Sequence, residues 1–283
     1  MKIEVLHPGF STTVQDSGRI NGLAYGVPKG GAMDVKLMHL ANQIVGNTIT
    51  NPVLEFTMLG GKYRFSEDAI IAIAGQGMVF INSNQVETNS KLYIRKNDVL
   101  YVNAGPEGRY NYLAIQGRIE AEEFWGSFST YEFVEKGGHL GRKLAKRDVL
   151  GVRKGLENKF EFSIDYLKRS KIRILKAPEF DCFPKKDIIS LVDTNFTVSA
   201  HSNRMGYRLC EPALVGTPTG NIISSGCVPG TIQVPSSGEP IVLMADSPTT
   251  GGYPRIAVIH PDDFGCFAQK TPGEIVNFEW FEI

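Results

Sequence analysis

The stretch SGCVPGTIQVPSSGEPIVLMADSPTTGGYP, Ser225–Pro254, decides the fold class. Two short apolar runs, Thr231–Val234 and Ile241–Ala245, are separated by Pro235-Ser-Ser-Gly238 and Pro240. Glycine tolerates positive φ and lets other atoms approach the main chain, while proline fixes φ and removes a donor. Strand-like runs threaded through so much turn chemistry predict a rigid β scaffold that presents loops. The stretch ends in Thr249-Thr250-Gly251-Gly252-Tyr253-Pro254, two hydroxyls and two glycines beside an aromatic ring. It reads either as a ligand-facing loop or as an ordinary turn between hairpin strands.

Outward from this stretch the same texture continues. Val53–Met58, Lys62–Phe65, Ile70–Ala74, Val79–Ile81, Lys91–Ile94, Val99–Val102 and Tyr110–Ile115 are short, rich in β-branched or aromatic residues, and bounded by Gly, Asn or Asp. Strand signals at this spacing predict a barrel or sandwich rather than βαβ units. Lys2–Leu6 alternates as a half-buried strand does, and Lys171–Leu175, Asp187–Leu191, Thr194–Val198 and Arg255–Ile259 are further strand candidates. One helix stands out: Asp34 as N-cap, then Leu37, Met38, Leu40, Ala41, Ile44 and Val45 on one apolar face, with Gly46-Asn47 as the stop. The polar stretch 151–169 reads as a connector, so the expected division is an N-terminal β subdomain, 1–170, and a C-terminal β-barrel subdomain, 171–283.

Bulk properties exclude several classes. Thirty Lys plus Arg balance thirty Asp plus Glu, so no basic footprint for nucleic acid or an anionic membrane exists. No apolar run spans a bilayer, and the first residues lack a secretory apolar core, which predicts a cytoplasmic protein. Cys182, Cys210, Cys227 and Cys266 lack zinc-ligand spacing and read as free, mostly buried thiols, so no metal site is expected from them. Gly75-Gln76-Gly77 begins like a dinucleotide fingerprint, but Phe80 stands at the third glycine and no suitable helix follows.

Three further loops carry polar chemistry. Ser11–Arg19 offers hydroxyls, Asp16 and Arg19 to a ligand, or folds as a turn in which Asp16 caps backbone N–H groups and Arg19 pairs with it. Gly126–Tyr131, with Ser129, and Gly137–Arg142 direct N–H groups and an arginine at an anion, or form a long hairpin. Arg204 and Arg208, four apart in SNRMGYRL, clamp a carboxylate or phosphate, or pair with acids on a neighbouring strand.

Taken together, PGFSTTVQDSGR (Pro8–Arg19), YGVPKGGAMD (Tyr25–Asp34), LANQIVGN (Leu40–Asn47), LEFTMLGG (Leu54–Gly61), GSFSTY (Gly126–Tyr131), SNRMGYRL (Ser202–Leu209), VPGTIQVPSSGEPIVLMAD (Val228–Asp246) and TTGGYPRIA (Thr249–Ala257) resemble the biotin-dependent carboxyltransferase family. The family is also called allophanate hydrolase subunit 2 or KipA, and includes the C subunit of prokaryotic 5-oxoprolinases. The resemblance covers nearly the whole chain. Similar proteins have Asp where Asn203 stands.

The resemblance implies a mainly β fold of cyclophilin-like β-barrel domains with few short helices. It implies ATP-dependent ring opening of 5-oxo-L-proline to L-glutamate, with a KipI-like protein and a LamB/YcsF-like protein as partners in a hetero-oligomer. Regulation of a KipI-like kinase inhibitor, or half of a urea-type carboxyltransferase, are the alternatives. ATP with Mg²⁺ is the implied cofactor, and no biotin-attachment segment is visible. Under this resemblance Arg204, Arg208, Thr249, Thr250 and Asp246 are the catalytic candidates. Asp16, Arg19, Ser129, Arg142, Gly251, Gly252 and Tyr253 are the substrate- or phosphate-binding candidates. Asp16 and Asp246 are expected to orient an arginine or bind Mg²⁺.

Overall fold

The computed structural model describes residues 1–155, 170–211, 213–214 and 222–282. The chain is mainly β, with three α-helices among the described residues. It divides into two compact units, Met1–Asn21 with Gly30–Tyr166, and Gly22–Lys29 with Leu167–Ile283. The excursion Gly22–Lys29 groups with the second unit, which no composition shift announces. The expected connector 151–169 is in part strand, since Val149–Arg153 pairs in a sheet; 156–169 lies outside the described residues.

In the first unit, β1 (Lys2–His7), β2 (Ser11–Gln15), β3 (Val53–Thr57), β4 (Gly61–Phe65), β5 (Ala69–Ala74), β6 (Met78–Ile81), β7 (Asn84–Val86), β8 (Lys91–Ile94), β9 (Val99–Asn103), β10 (Tyr110–Ile115), β11 (Arg118–Ile119) and β12 (Val149–Arg153) form two sheets. Their orders are β11-β12-β1-β4-β9-β6-β7 and β2-β3-β10-β5-β8. Alternation decides what lies between them. Ile3, Val5, Tyr63, Phe65, Leu100 and Val102 from one sheet meet Val14, Leu54, Phe56, Ile71, Ile73 and Leu113 from the other in one buried cluster. Each such side chain contributes roughly 1.5–3 kcal/mol by leaving water.

The predicted helix, α1 (Val35–Ile44), packs on β10 and β5. Asp34 caps it, accepting from Leu37 N at 3.2 Å. Its start is pinned to the sheet: buried Glu55 accepts from Met33 N (2.7 Å) and from the Tyr112 hydroxyl (2.9 Å), which itself accepts from Asp34 N (2.7 Å). Burial, and then the Glu55 charge beside it, push the Tyr112 phenol well above its ordinary pKa, so it stays a donor.

In the second unit, β13 (Ile172–Lys176), α2 (Lys185–Asp193), β14 (Phe196–Val198), β15 (Gly206–Cys210), β16 (Ser225–Gly226), β17 (Thr231–Gln233), β18 (Ile241–Leu243), β19 (Thr250–Gly251), β20 (Arg255–Ile259), α3 (Phe264–Ala268), β21 (Ile275–Val276) and β22 (Phe278–Trp280) follow in order. Eight strands pair as β21-β14-β15-β18-β17-β20-β13-β22, and β16 and β19 form a separate ribbon. The two ends of the eight-stranded sheet, β21 and β22, are separated in sequence by Asn277 alone. One residue cannot bridge the width of an open sheet of strands about 4.8 Å apart, so the sheet curls into a nearly closed barrel. Phe196, Tyr207, Phe267 and Phe278 fill it, with ring centroids 5.5–6.4 Å apart in successive pairs.

Two expectations fail here. Asp187–Leu191 is not a strand but the middle of α2; a short apolar run fits both periods, and Asp187 and Leu191, four apart, are its buried residues. The cysteines are all free, yet only Cys227 is buried, whereas Cys182 is exposed and Cys210 and Cys266 are half-buried.

Candidate functional site

In the first unit Asp16, Arg19 and Ser129 come together as a knot. Asp16 follows β2, where the chain turns out of the sheet, and is 6 % exposed. Its carboxylate accepts from Gly18 N (2.8 Å), Ser127 Oγ (2.6 Å), Phe128 N (2.6 Å) and Ser129 Oγ (2.6 Å). The Gly18 bond closes the local Asx turn expected from sequence; the other three tie in a loop more than a hundred residues away. Arg19, 1 % exposed, donates to the Ser129 carbonyl. Its guanidinium lies over the rings of both Phe124 (5.5 Å) and Tyr131 (5.4 Å). Asp16 meets four donors with both oxygens, so it has a loop-tying role and no open face for a metal ion.

Arg142 lies outside this knot. It forks onto Asp148, Nη1 to Oδ2 at 2.8 Å and Nη2 to Oδ1 at 2.9 Å. That fork holds the Asp148 carboxyl below the usual range, while burial lowers the neighbouring His139.

The second unit brings together most of the remaining candidates. The 204–205 segment runs beside the end of β18: Met244 N donates to Met205 O (3.1 Å) and Asp246 N to Arg204 O (2.9 Å). Arg204 then forks onto Asp246, Nε to Oδ2 at 2.7 Å and Nη2 to Oδ1 at 2.9 Å. Three residues on begins the Thr249–Tyr253 stretch, which folds back as the β16–β19 ribbon, Ser225 opposite Gly251 and Gly226 opposite Thr250. Thr250 and Tyr253 are exposed and Thr249 is half-buried, so hydroxyls and a ring form an open rim.

Beneath the ribbon lie residues not singled out from the sequence. Gln233, buried in β17, donates Nε2 toward Cys227 Sγ (3.6 Å) and Tyr253 O (3.5 Å). A Cβ on Gly251 would stand 2.5 Å from Gln233 Nε2 and 3.0 Å from Cys227 Sγ, so a larger residue there would displace the Gln233 amide from its place under the ribbon. Arg255, at the start of β20, donates Nη1 to Gly226 O (2.6 Å) and forks onto Glu179, Nε to Oε2 at 2.6 Å and Nη2 to Oε1 at 2.5 Å. The fork lowers the Glu179 carboxyl. Burial pushes the Cys227 thiol above its ordinary value of 9.0, so it is protonated at neutral pH and unsuited to act as a nucleophile. The available signals were a glutamine inside an apolar strand and an arginine immediately after Gly-Gly-Tyr-Pro.

Arg208 is not brought to this cluster. It sits in β15 opposite Ile241, exposed, on the strand face opposite buried Tyr207 and Leu209. The arginines of the cluster, Arg204 and Arg255, are each matched to a carboxylate. Both oxygens of Asp246 accept from Arg204, and no group of three or more His, Cys, Asp or Glu able to hold a metal exists among the described residues. The donor set of this cluster, as far as the described residues supply it, therefore does not fit a nucleotide–Mg²⁺ site. It offers neutral donors on a ribbon whose position is fixed by paired charges.

The family described as carboxyltransferase domain, subdomain A and B, matches residues 25–280. The chain is 35 % identical to the C subunit of 5-oxoprolinase from Escherichia coli K12 over 98 % of this chain and 90 % of that protein. It is 30 % identical to the C subunit of 5-oxoprolinase from Haemophilus influenzae, with the same coverage. Among solved structures, the Kluyveromyces lactis urea amidolyase matches with a TM-score of 0.89 at 30 % identity, over 98 % of this chain but 18 % of that one. The protein TTHA0988 matches with a TM-score of 0.87 at 28 % identity, over 98 % of this chain and 56 % of that one. No helix among the described residues is long and apolar enough to cross a membrane. The end-to-end match of sequence and fold shows that the chain belongs to the carboxyltransferase-domain family and carries its subdomains A and B.

Proposed function

We propose that the chain is the C subunit of a 5-oxoprolinase, acting in ATP-dependent opening of 5-oxo-L-proline to L-glutamate together with a KipI-like protein and a LamB/YcsF-like protein in the cytoplasm. The carrying observation is identity: the chain is 35 % identical to a protein named as a 5-oxoprolinase component, against 30 % to a Lachancea kluyveri urea amidolyase.

Opening a lactam needs donors at its carbonyl oxygen, where negative charge develops. The hydroxyls of Thr249 and Thr250 and the N–H groups around Gly251 and Gly252 are candidates for that role, with Tyr253 beside them. Arg255, through Gly226, and Gln233, through the Tyr253 carbonyl, hold the ribbon in place. Arg204 and Asp246 fix the loop that leads into it. Because these residues do not fit a nucleotide–Mg²⁺ site, nucleotide binding is assigned to surfaces completed by a partner, and the chain alone is inactive.

The test is glutamate release from 5-oxo-L-proline by the three proteins together, with and without ATP and with each one omitted. ATP-dependent release that vanishes without this chain is the expected result, and Arg204→Ala should abolish it while leaving the complex assembled. The 30 % identity to urea amidolyase supports a second reading, half of a urea-type carboxyltransferase. That reading requires this chain and its KipI-like partner to consume carboxybiotin, and glutamate would not be released.

A further inference from the structure

Gln233 lies beneath the ribbon with its hydrogen bonding unfinished. It is 5 % exposed. Nε2 reaches the Cys227 sulfur, a weak acceptor, at 3.6 Å, and the Tyr253 carbonyl at 3.5 Å, well beyond the usual distance of about 2.9–3.0 Å. Oε1 takes no hydrogen bond from any described residue. Across the ribbon from Gly251, the Ser225 hydroxyl oxygen is inaccessible and also lacks a partner among the described residues. Buried polar groups are nearly always matched, and unmatched ones mark catalytic roles or places that a water or ion fills.

The backbone aims this side chain. Along β17 and β20, Ile232 pairs with Ala257 but Gln233 pairs with Arg255, so β20 carries Ile256 as an extra residue at this step. A bulge of this kind bends its strand and re-aims a side chain, and bulges gather beside active sites. The cover over Gln233 is slight. β16 and β19 pair only with each other, and none of their four residues is buried as a whole. The ribbon residue nearest the amide is Gly251, so main chain rather than a side chain lies over it.

A carboxamide carries an acceptor and a donor side by side. The ligand edge that answers both is a carbonyl oxygen with an N–H held on the same side. Open-chain secondary amides are trans and turn the two groups to opposite sides. A five-membered lactam is held cis by its ring, and urea has the same edge. The neighbouring charges, Arg255 and Glu179, are matched to each other, so an uncharged edge suits this place.

We propose that Gln233 is the residue that reads the substrate amide: Nε2 donates to the carbonyl oxygen of a cis-amide edge and Oε1 accepts from its N–H, the Gly251 side of the ribbon shifting to admit the ring. This deepens the 5-oxoprolinase reading and rests on it for the choice of a lactam, since the edge itself is common to lactams and ureas.

The test is calorimetric binding to the assembled three-protein complex without ATP, with thermal unfolding alongside. The probes are 5-oxo-L-proline, its lactone counterpart, in which a ring oxygen replaces the N–H, and urea. Wild type should bind the lactam about tenfold or more tighter than the lactone, because the lactone sets an acceptor against Oε1. Gln233→Met, of similar length and with neither group, should bind the lactam about tenfold or more weakly, should no longer distinguish it from the lactone, and should lose glutamate release accordingly. A residue that only supports the ribbon would weaken both probes alike and leave the preference intact. That result overturns the proposal, as does unchanged binding in Gln233→Met. A wild-type preference below about twofold overturns it without recourse to a variant. If the complex releases no glutamate and binds urea in place of the lactam, the 5-oxoprolinase reading fails; loss of urea binding in Gln233→Met then still supports Gln233 as the amide reader, and retention of it overturns the assignment. Binding of none of the three probes by wild type overturns it as well.

Discussion

Arg19 and Arg255 both secure a loop through a backbone carbonyl, yet their surroundings make them different devices. Arg19 lies against two aromatic rings, nearly inaccessible, and grips the Ser129 carbonyl. Arg255 is forked onto Glu179 and reaches the Gly226 carbonyl with its remaining terminal nitrogen. The first is a fixture of the interior; the second sits at the edge of an open rim, its charge cancelled by an acid that pH can titrate. A guanidinium in a polar loop motif is therefore no guide to its task. Burial and partner decide whether it holds the fold or poses a site.

The largest effect expected from this contrast is at Arg19. Arg19→Met keeps the bulk but removes every donor, leaving the Ser129 carbonyl buried beside a neutral thioether. Loss of one charge-assisted bond and two cation–π contacts destabilises by about 3 kcal/mol or more. Urea unfolding at constant slope measures it. A loss below about 1 kcal/mol would show that the loops hold without the guanidinium.

Asp16→Asn comes next. The amide keeps one acceptor oxygen but turns NH₂ toward a donor, either Phe128 N or the hydroxyls and N–H on the other oxygen. One donor–donor opposition in a buried site costs about 2 kcal/mol. Equal stability of the variant would mean that the serine hydroxyls reorient to absorb the change, and the knot would be softer than its four bonds suggest.

How much of this was legible in the sequence follows from the range of each interaction. Lys91–Ile94, Tyr110–Ile115 and Arg255–Ile259 are strands over the bounds that alternation and turn residues mark out. Asp34 is the cap its position before the apolar face announces. The Asx turn at Asp16 is equally local. What stays illegible is long-range: that Ser127 and Ser129 come back to Asp16, or that Glu179 meets Arg255 across 76 positions. Helix α2 fails for a different reason, because its core of Ile-Ile-Ser-Leu-Val suits either period until a neighbour fixes the buried side. Gln233 escapes notice because inside an apolar strand it reads as a break in the pattern, when burial makes it part of the ribbon's floor.

Glu179→Gln tests the second arginine through pH. The folded-state Glu179 carboxyl is depressed, chiefly by its hydrogen bonds to Arg255. A depressed carboxyl adds stability that is fully present above its unfolded value, ordinarily 4.5, and is lost as pH falls through the lower folded value. Wild type should therefore lose stability on acidification below that range, and Glu179→Gln should flatten this limb. At neutral pH the variant retains one acceptor and should cost about 1 kcal/mol. Glutamate release should fall more than stability does, because the ribbon loses its anchor. An unchanged acid limb would mean that the fork gains no more than solvent offers the separated ions.

The smallest effect belongs to Arg208, and it sharpens the contrast by removing a candidate. The motif SNRMGYRL presents Arg204 and Arg208 as a pair, and on a helix a spacing of four would put them on one face. The chain is instead a turn running into β15, so Arg204 forks onto Asp246 while Arg208 points outward from a strand whose Tyr207 and Leu209 fill the barrel. An exposed strand residue of this kind changes stability by less than about 0.5 kcal/mol on truncation. Arg208→Ala should therefore leave unfolding and glutamate release unchanged while Arg204→Ala abolishes release. Should Arg208→Ala also abolish release with its stability intact, the outer face of β15 would be part of the reacting assembly. The site would then lie against that face in the complex, reached by a substrate or partner that the barrel's own loops do not meet.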